Sequence, residues 1–415
     1  MVYQLVQPNI VFCCSKIDTE CVSIPSAKEI TSPLKVALFD HKILPTNPVG
    51  GCHLRMLRGL CHQHDFTVFA VEFENPCPER IRWVRVPAPS RPLALLYVVY
   101  HLLAPICYWA YRVRYRVRFD LVQMVESNLS FGNVSYSHFC HRAYLKYHWK
   151  QSRPGGLRRW FRWLDHWLHA LVEPRTYRRA RYIVVPSRGL ATELAAEYPY
   201  AQSKIRVIPN PVDVNRMRPS EDFDREAFRS RLGITPDELG LAFVALGHFE
   251  RKGLPLLLKA ISGLGTKRLK LVVVGGTNDL LAGYRQRVQQ MGLADQVVFV
   301  GMQRDVRPYL WAADAFTLPS LYEVFPLVAL EAAAAGLPLI VTPLNGVEEF
   351  LRDGDNGILV ERSSGGVARG ISRLLAMPPE ARRVMGQTAQ RDVQRYATEN
   401  FVAGWRAFYE GLSVG

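Results

Sequence analysis

Pro319-Ser-Leu-Tyr-Glu-Val-Phe-Pro-Leu-Val-Ala-Leu-Glu-Ala-Ala-Ala-Ala-Gly336 sets two carboxylates, Glu323 and Glu331, around the start of a short helix. Pro326 suits the first helical position, where its missing N–H is not needed, and an unbroken run from Leu327 to Ala335 ends at Gly336 with Pro338 just beyond. The pattern predicts a helix over 326–335. Its first turn offers free amides and the positive end of the dipole, a place for a diphosphate. Glu323 precedes that turn, and the side chain of Glu331 leans back toward it, so both carboxylates approach a ligand held there. An ionised carboxylate only accepts hydrogen bonds, which matches the hydroxyls of a ribose or a hexose.

Two glutamates alone would as readily describe a capped surface helix, and the flanks separate the two readings. Leu337-Pro-Leu-Ile-Val-Thr342 follows, and Asp314-Ala-Phe-Thr-Leu-Pro319 precedes, as short apolar runs suited to buried parallel strands. A strand–loop–helix–strand unit places the helix N-terminus at the carboxyl edge of a sheet, where open α/β folds bind ligands. The same rhythm runs through the chain. Strands are predicted at 34–40, 66–71, 120–125 and 182–186, then at 241–246, 269–274, 297–300 and 315–318, with helical segments between. Alternation in two blocks argues two parallel-sheet domains. Pro209-Asn-Pro-Val-Asp213 is the natural breaker between them.

The constellation Glu323-x7-Glu331, followed by Ala-x-Ala-x-Gly336-Leu-Pro and a strand, resembles the retaining nucleotide-sugar glycosyltransferases of family 4. The resemblance covers about residues 34 to 415 and implies the GT-B fold: two Rossmann-like α/β domains facing a deep interdomain cleft. It implies a first, acceptor-side domain over 33–210, a donor domain over 211–394, and a closing helix within 395–415 that returns to the first domain. Residues 1–32 are left as an extension.

By the same resemblance Glu323 faces the donor sugar, Glu331 the ribose, and the amides of Leu327 and Val328 the phosphate, with Phe325 in the same loop. Pro326 stands where many members have Gly, which removes one amide donor. In Gly247-His-Phe-Glu-Arg-Lys-Gly253, Arg251 and Lys252 would hold the diphosphate as negative charge builds on it. Lys252-Gly253 matches the family's Lys-Gly step, whereas His248 stands where many members carry the Arg. Gly50 and Gly51, read as a Gly-Gly loop after the first strand, would face the phosphates and the acceptor. Gly275-Gly276 is of the same type but lacks the dinucleotide fingerprint. In Ser137-His-Phe-Cys-His141, His138 is the histidine assigned to the transferred sugar, with His141 the alternative. No metal and no cofactor are expected: Asp353-Gly-Asp355 reads as a turn, and Cys140 with the two histidines lacks a full zinc ligand set in the local sequence.

The implied reaction moves a hexose from a UDP-sugar or GDP-sugar to a hydroxyl of a glycan or of a lipid-linked or cell-surface saccharide, as in polysaccharide or lipopolysaccharide biosynthesis. A sugar-nucleotide epimerase would share the nucleotide socket. A nucleic-acid-binding reading rests on the net charge of +15, yet no nucleic-acid motif accompanies it. The charge is uneven: residues 1–210 carry 28 Lys+Arg against 14 Asp+Glu, and residues 211–415 carry 24 against 23. A basic half beside a neutral half points to an anionic partner for the first domain.

Leu93 to Tyr111 holds no charged residue over 19 positions, long enough for a membrane span. A span would separate strands 34–40 and 120–125, which one sheet needs together. A buried or interfacial segment is the alternative, with Arg112, Arg114, Arg116 and Arg118 following and Arg158-Arg-Trp-Phe-Arg-Trp of similar character. Contact with an anionic membrane surface and a packed core segment both remain open on these residues. All eight cysteines lie in the first half without a C-x-x-C pair and read as reduced thiols; with no basic-then-apolar leader at Met1, a cytoplasmic location is expected, peripheral on the membrane's inner face if the contact exists.

Overall fold

A computed structural model describes residues 33–152, 156 and 158–413. The expected extension over 1–32 lies outside them. Two open sheets, each with every strand parallel, make the two α/β domains of the GT-B architecture that the sequence implies. The first has seven strands in the order Arg82–Arg85, Asp65–Ala70, Lys35–Phe39, Leu121–Val125, Val134–Tyr136, Tyr182–Val185, Ile205–Val207. The second has six, in the order Val297–Gly301, Leu269–Val274, Leu239–Val244, Ala315–Leu318, Leu339–Val341, Gly357–Leu359. Central strands carry no alternation because helices cover both faces: all five residues of Leu121–Val125 and all six of Leu239–Val244 are buried.

The chain crosses between the domains at 208–214, where the amide of Val212 donates to the carbonyl of Tyr396 at 2.8 Å. The last helix, Thr398–Ser413, packs on helix Pro48–Leu60 of the first domain. Gly59 makes that approach close, since a Cβ there would meet Val402 Cγ1 at 2.5 Å. Trp405 and Tyr409 are fully buried in the first domain's core, and Tyr409 Oη donates to Gln123 Oε1 at 2.7 Å.

Helix Leu93–Tyr115 lies against the first sheet by one side only. Leu96, Tyr97, Tyr100, Ala104 and Tyr108 are buried. Tyr100 Oη donates to the carbonyl of Phe69 at 2.7 Å, and Tyr97 Oη to that of Ser127 at 2.9 Å. The segment is therefore part of the domain, with its opposite side unburied.

The domains also touch across the cleft. Tyr322 and Val324, in the loop before helix Leu327–Ala334, sit in the first domain's core cluster. Tyr322 Oη and Asn345 Nδ2 donate to the two carboxylate oxygens of Glu193, each at 2.8 Å, and Ser187 Oγ donates to the carbonyl of Val324 at 2.9 Å.

Candidate active site

The helix over Leu327–Ala334 starts one residue later than the sequence predicts. Pro326 is its N-cap rather than its first turn, with φ −75° and ψ 90°, an extended conformation that suits Pro as well as N1 does. No side chain caps this end, and among the described residues no acceptor outside the helix takes the amides of Leu327 or Val328.

Glu323 lies immediately before the helix with its side chain 10% exposed. Its Oε1 receives Lys252 Nζ at 2.7 Å, Ser320 Oγ at 2.8 Å and Arg251 Nη1 at 3.2 Å. Burial alone would push this carboxyl up, but Lys252 and Arg251 together outweigh it and hold it below the ordinary range. Burial pulls Lys252 down, opposed by Glu323. Among the described residues these contacts all fall on one oxygen and none on Oε2.

Loop 247–253 reaches the helix through backbone. The amide of Leu321 donates to the carbonyl of Arg251 at 2.8 Å. Gly253 has φ +87°, and a Cβ there would stand 2.0 Å from the carbonyl oxygen of Pro319, so only glycine lets the two loops meet. Glu331, on the helix itself, accepts no side-chain hydrogen bond among the described residues, and its pKa is pushed up to about 7. Desolvation raises it against the pull of Arg55 from the first domain and Arg216 from the crossing.

Across the cleft, buried His138 hydrogen-bonds Asn210 Oδ1 through Nε2 at 3.2 Å. Tyr136 Oη donates to the same Oδ1 at 2.8 Å. Burial pushes His138 down to about 4, so the ring is neutral at pH 7, donating at Nε2 and keeping Nδ1 as an acceptor. That Nδ1 is buried and has no partner among the described residues.

His141 differs, because both of its nitrogens are engaged: Nε2 with Glu126 Oε2 at 3.2 Å and Nδ1 with His166 Nδ1 at 3.0 Å. The zinc set missing from the local sequence is partly met in space, since Glu126, His141 and His169 each bring a ligand atom within 4.8 Å of the others. Yet His141 and His169 stack 4.2 Å apart with planes only 5° from parallel. An imidazole lone pair lies in its ring plane, so an ion in line with one ring is out of line with the other, and as placed the pair cannot share a metal. Asp353 and Asp355 are both engaged by arginines, Asp353 by Arg373 on helix Ser364–Ala376 and Asp355 by Arg352 of the same turn.

The comparisons with known proteins fit both halves of this cleft. Residues 53–216 match Glycosyltransferase Family 4, and residues 240–377 match Glycosyl transferases group 1. The chain belongs to the family 4 glycosyltransferases. An uncharacterized glycosyltransferase of Methanocaldococcus jannaschii is 26% identical over 384 residues, covering 88% of this chain and 95% of that one. Two solved structures share the fold. Sucrose-phosphate synthase from Thermosynechococcus elongatus has a TM-score of 0.72 at 20% identity, covering 91% of this chain and 99% of its own. HepE of Anabaena, solved with UDP and glucose, has a TM-score of 0.68 at 18% identity, covering 91% and 100%.

Within this family 4 chain, the structure brings together Glu323, Lys252 and Arg251, with Glu331, Leu327 and Val328 on the adjoining helix. Gly247 lies open in the same loop, with nothing within 4 Å of where a Cβ would stand.

Three expectations are corrected. Gly50 and Gly51 are not a loop: Asn47 caps and Pro48 begins helix Pro48–Leu60, which holds both in its first turn. A Cβ on Gly50 would meet Leu44 N at 2.8 Å, so that glycine serves chain packing, whereas Gly51 lies beside Arg55. Gly275 is buried with φ +103°; its amide donates to Gly301 O at 2.7 Å and a Cβ would meet Ala245 O at 2.0 Å, so it joins strand ends and has no amide to offer a phosphate. Phe325 packs into the second domain's core against Tyr396 and Gly346 rather than lining the cleft.

Ser320 and Asn210 lie inside stretches that the sequence marks for other reasons, and their polar types alone do not assign them to Glu323 and His138. Arg55 and Arg216 act on Glu331 from distant parts of the chain, where no motif marks them.

Proposed function

We propose that this glycosyltransferase moves a hexose, with retention, from a nucleoside-diphosphate sugar to a hydroxyl of a saccharide or lipid-linked saccharide, without a metal or other cofactor. One observation carries the reading: Arg251, Lys252, Ser320 and Glu323 converge at the uncapped start of the helix that also bears Glu331. Amides of Leu327 and Val328 with Lys252 and Arg251 suit a diphosphate. Glu331 suits the ribose hydroxyls, and the open oxygen of Glu323 suits a sugar hydroxyl. His138, with an unpartnered acceptor nitrogen, suits a further hydroxyl of the transferred sugar.

As the anomeric carbon leaves the phosphate oxygen, the electron pair stays on the diphosphate, where two fixed cations stabilise it. The acceptor oxygen bonds to the same carbon and gives up its proton to the departing phosphate. On this reading the donor is a UDP-sugar or a GDP-sugar.

The test is a thermal-shift screen of the full chain against UDP, GDP, ADP and their sugars, because a ligand bound only by the folded state raises the midpoint. One nucleotide series is expected to shift the wild type and not Glu331→Ala. A midpoint unmoved by every nucleotide overturns the socket.

A further inference from the structure

We propose that the outward faces of helices Leu93–Tyr115 and Arg158–Arg179 form a docking surface that holds this transferase flat on an anionic lipid bilayer. What the surface would deliver, a lipid-borne acceptor, rests on the reading above; the surface itself stands on exposure and charge.

The two helices pack on each other, with the rings of Tyr97 and His169 4.0 Å apart. On the first, the side away from the sheet presents Leu95, Val98, Leu102, Ile106, Trp109 and Val113, spaced by threes and fours as one helical face. Leu102, Ile106 and Val113 are 63%, 62% and 76% exposed. The second helix repeats this with Trp160, Phe161, Trp167 and Leu171, of which Trp160 and Phe161 are each 62% exposed. Single exposed apolar residues are ordinary, but two neighbouring helices with full apolar stripes mark an interaction site.

Charge identifies the occupant. Residues 93–118 contain four arginines, at 112, 114, 116 and 118, and no Asp or Glu. Arginines also sit over the exposed aromatics: Arg112 lies 4.6 Å from the Trp109 ring centroid, Arg114 5.6 Å from that of Tyr115, and Arg159 5.5 Å from that of Trp160. Aromatic rings and guanidinium groups above an aliphatic stripe match the boundary between headgroups and acyl chains.

A second copy of the chain fits worse, because a two-fold apposition of this face sets arginines against arginines with no carboxylate on the first helix to answer them. A span fits no better, since hydrogen bonds tie the inward side to the first domain, Tyr100 to Phe69 in its sheet and Tyr97 to Ser127 in the turn after Leu121–Val125. The helix therefore lies in the interface plane.

The experiment is flotation of the full chain with phosphatidylcholine vesicles, with and without about 30% phosphatidylglycerol, alongside light scattering of the lipid-free protein. Wild type is expected to float with anionic vesicles only. W109E/V113E on one helix, and separately W160E/F161E on the other, should each lower partitioning by roughly tenfold or more, as charge replaces inserted apolar surface. R114Q/R118Q should lower it roughly thirtyfold on anionic vesicles. All these positions are at the surface, so the melting midpoint should hold, and transfer to a water-soluble acceptor should be unaffected.

Failure of wild type to bind anionic vesicles overturns the proposal, as does equal binding by the glutamate variants. A concentration-dependent dimer dispersed by the same substitutions also overturns it and assigns the face to a second copy. Vesicle binding without any sugar transfer would leave the docking surface standing and remove the acceptor reading.

Discussion

If Glu331 takes the donor ribose as proposed, donor binding should depend on pH in a range where few carboxylates titrate. Its pKa is raised to about 7 by desolvation against Arg55 and Arg216. A ribose diol needs a hydrogen-bond acceptor there, which the ionised carboxylate supplies in full and the protonated one only in part. If only the ionised form binds, the apparent Kd scales as one plus the ratio of protonated to ionised carboxyl. That factor is near unity at about pH 8.5 and roughly tenfold at about pH 6, or about 1.4 kcal/mol of lost affinity.

The sign is fixed by the direction of the shift. A carboxyl raised above its unfolded value also makes the folded protein without ligand less stable as pH climbs through that window, so binding strengthens where the free fold weakens. His138 and His248, both pushed down to about 4 by burial, stay neutral throughout. Isothermal titration with an intact nucleoside-diphosphate sugar, whose diphosphate has no second proton to lose, isolates the term. The wild type should show the tenfold rise in Kd, and Glu331→Gln a flat and weak profile. A flat wild-type profile, or the same slope in Glu331→Gln, refutes the assignment of the ribose to this carboxylate.

Other outcomes follow from the same geometry. Lys252→Ala should lower turnover on the order of 10²- to 10³-fold in steady-state assays while the fold survives, because Arg251 and Ser320 still satisfy Glu323. Gly253→Ala introduces a Cβ 2.0 Å from Pro319 O at φ +87°, and a strain of about 3 kcal/mol should lower the melting midpoint by roughly 6–10 °C. Gly189→Ala puts a Cβ 2.2 Å from Asn345 Oδ1 and 2.8 Å from Glu348 Oε1 across the cleft. It should prise the domains apart, enlarging the radius of gyration by small-angle scattering and cutting activity without a matching loss in midpoint.

The parallel sheets were legible because strands buried on both faces read as unbroken apolar runs, as in Leu241-Ala-Phe-Val244. The donor loop and helix were legible because their residues are consecutive. Glycine pairs misled in both domains for one reason: a missing Cβ licenses close approach without saying what approaches. At Gly50 and Gly275 the neighbour is the chain's own backbone. Arg55 was illegible for the opposite reason, since its influence on Glu331 exists only after two domains close on each other.

That closure explains why Glu323 sits where it does before any donor arrives. Arg251 and Lys252 are drawn onto a single carboxylate oxygen, so two partly buried cations stand side by side with one negative charge between them. Without Glu323 the two would repel and swing to solvent, and a diphosphate would have to gather them again. With it, the site keeps one surplus positive charge at a helix start that already favours anions, fixed before binding. Ser320 and the Leu321 amide, both bonded to this loop, prevent the arrangement from relaxing. On the proposed function the carboxylate at 323 has two duties on two oxygens: Oε1 holds the cations for the phosphate, and Oε2 is left to the sugar.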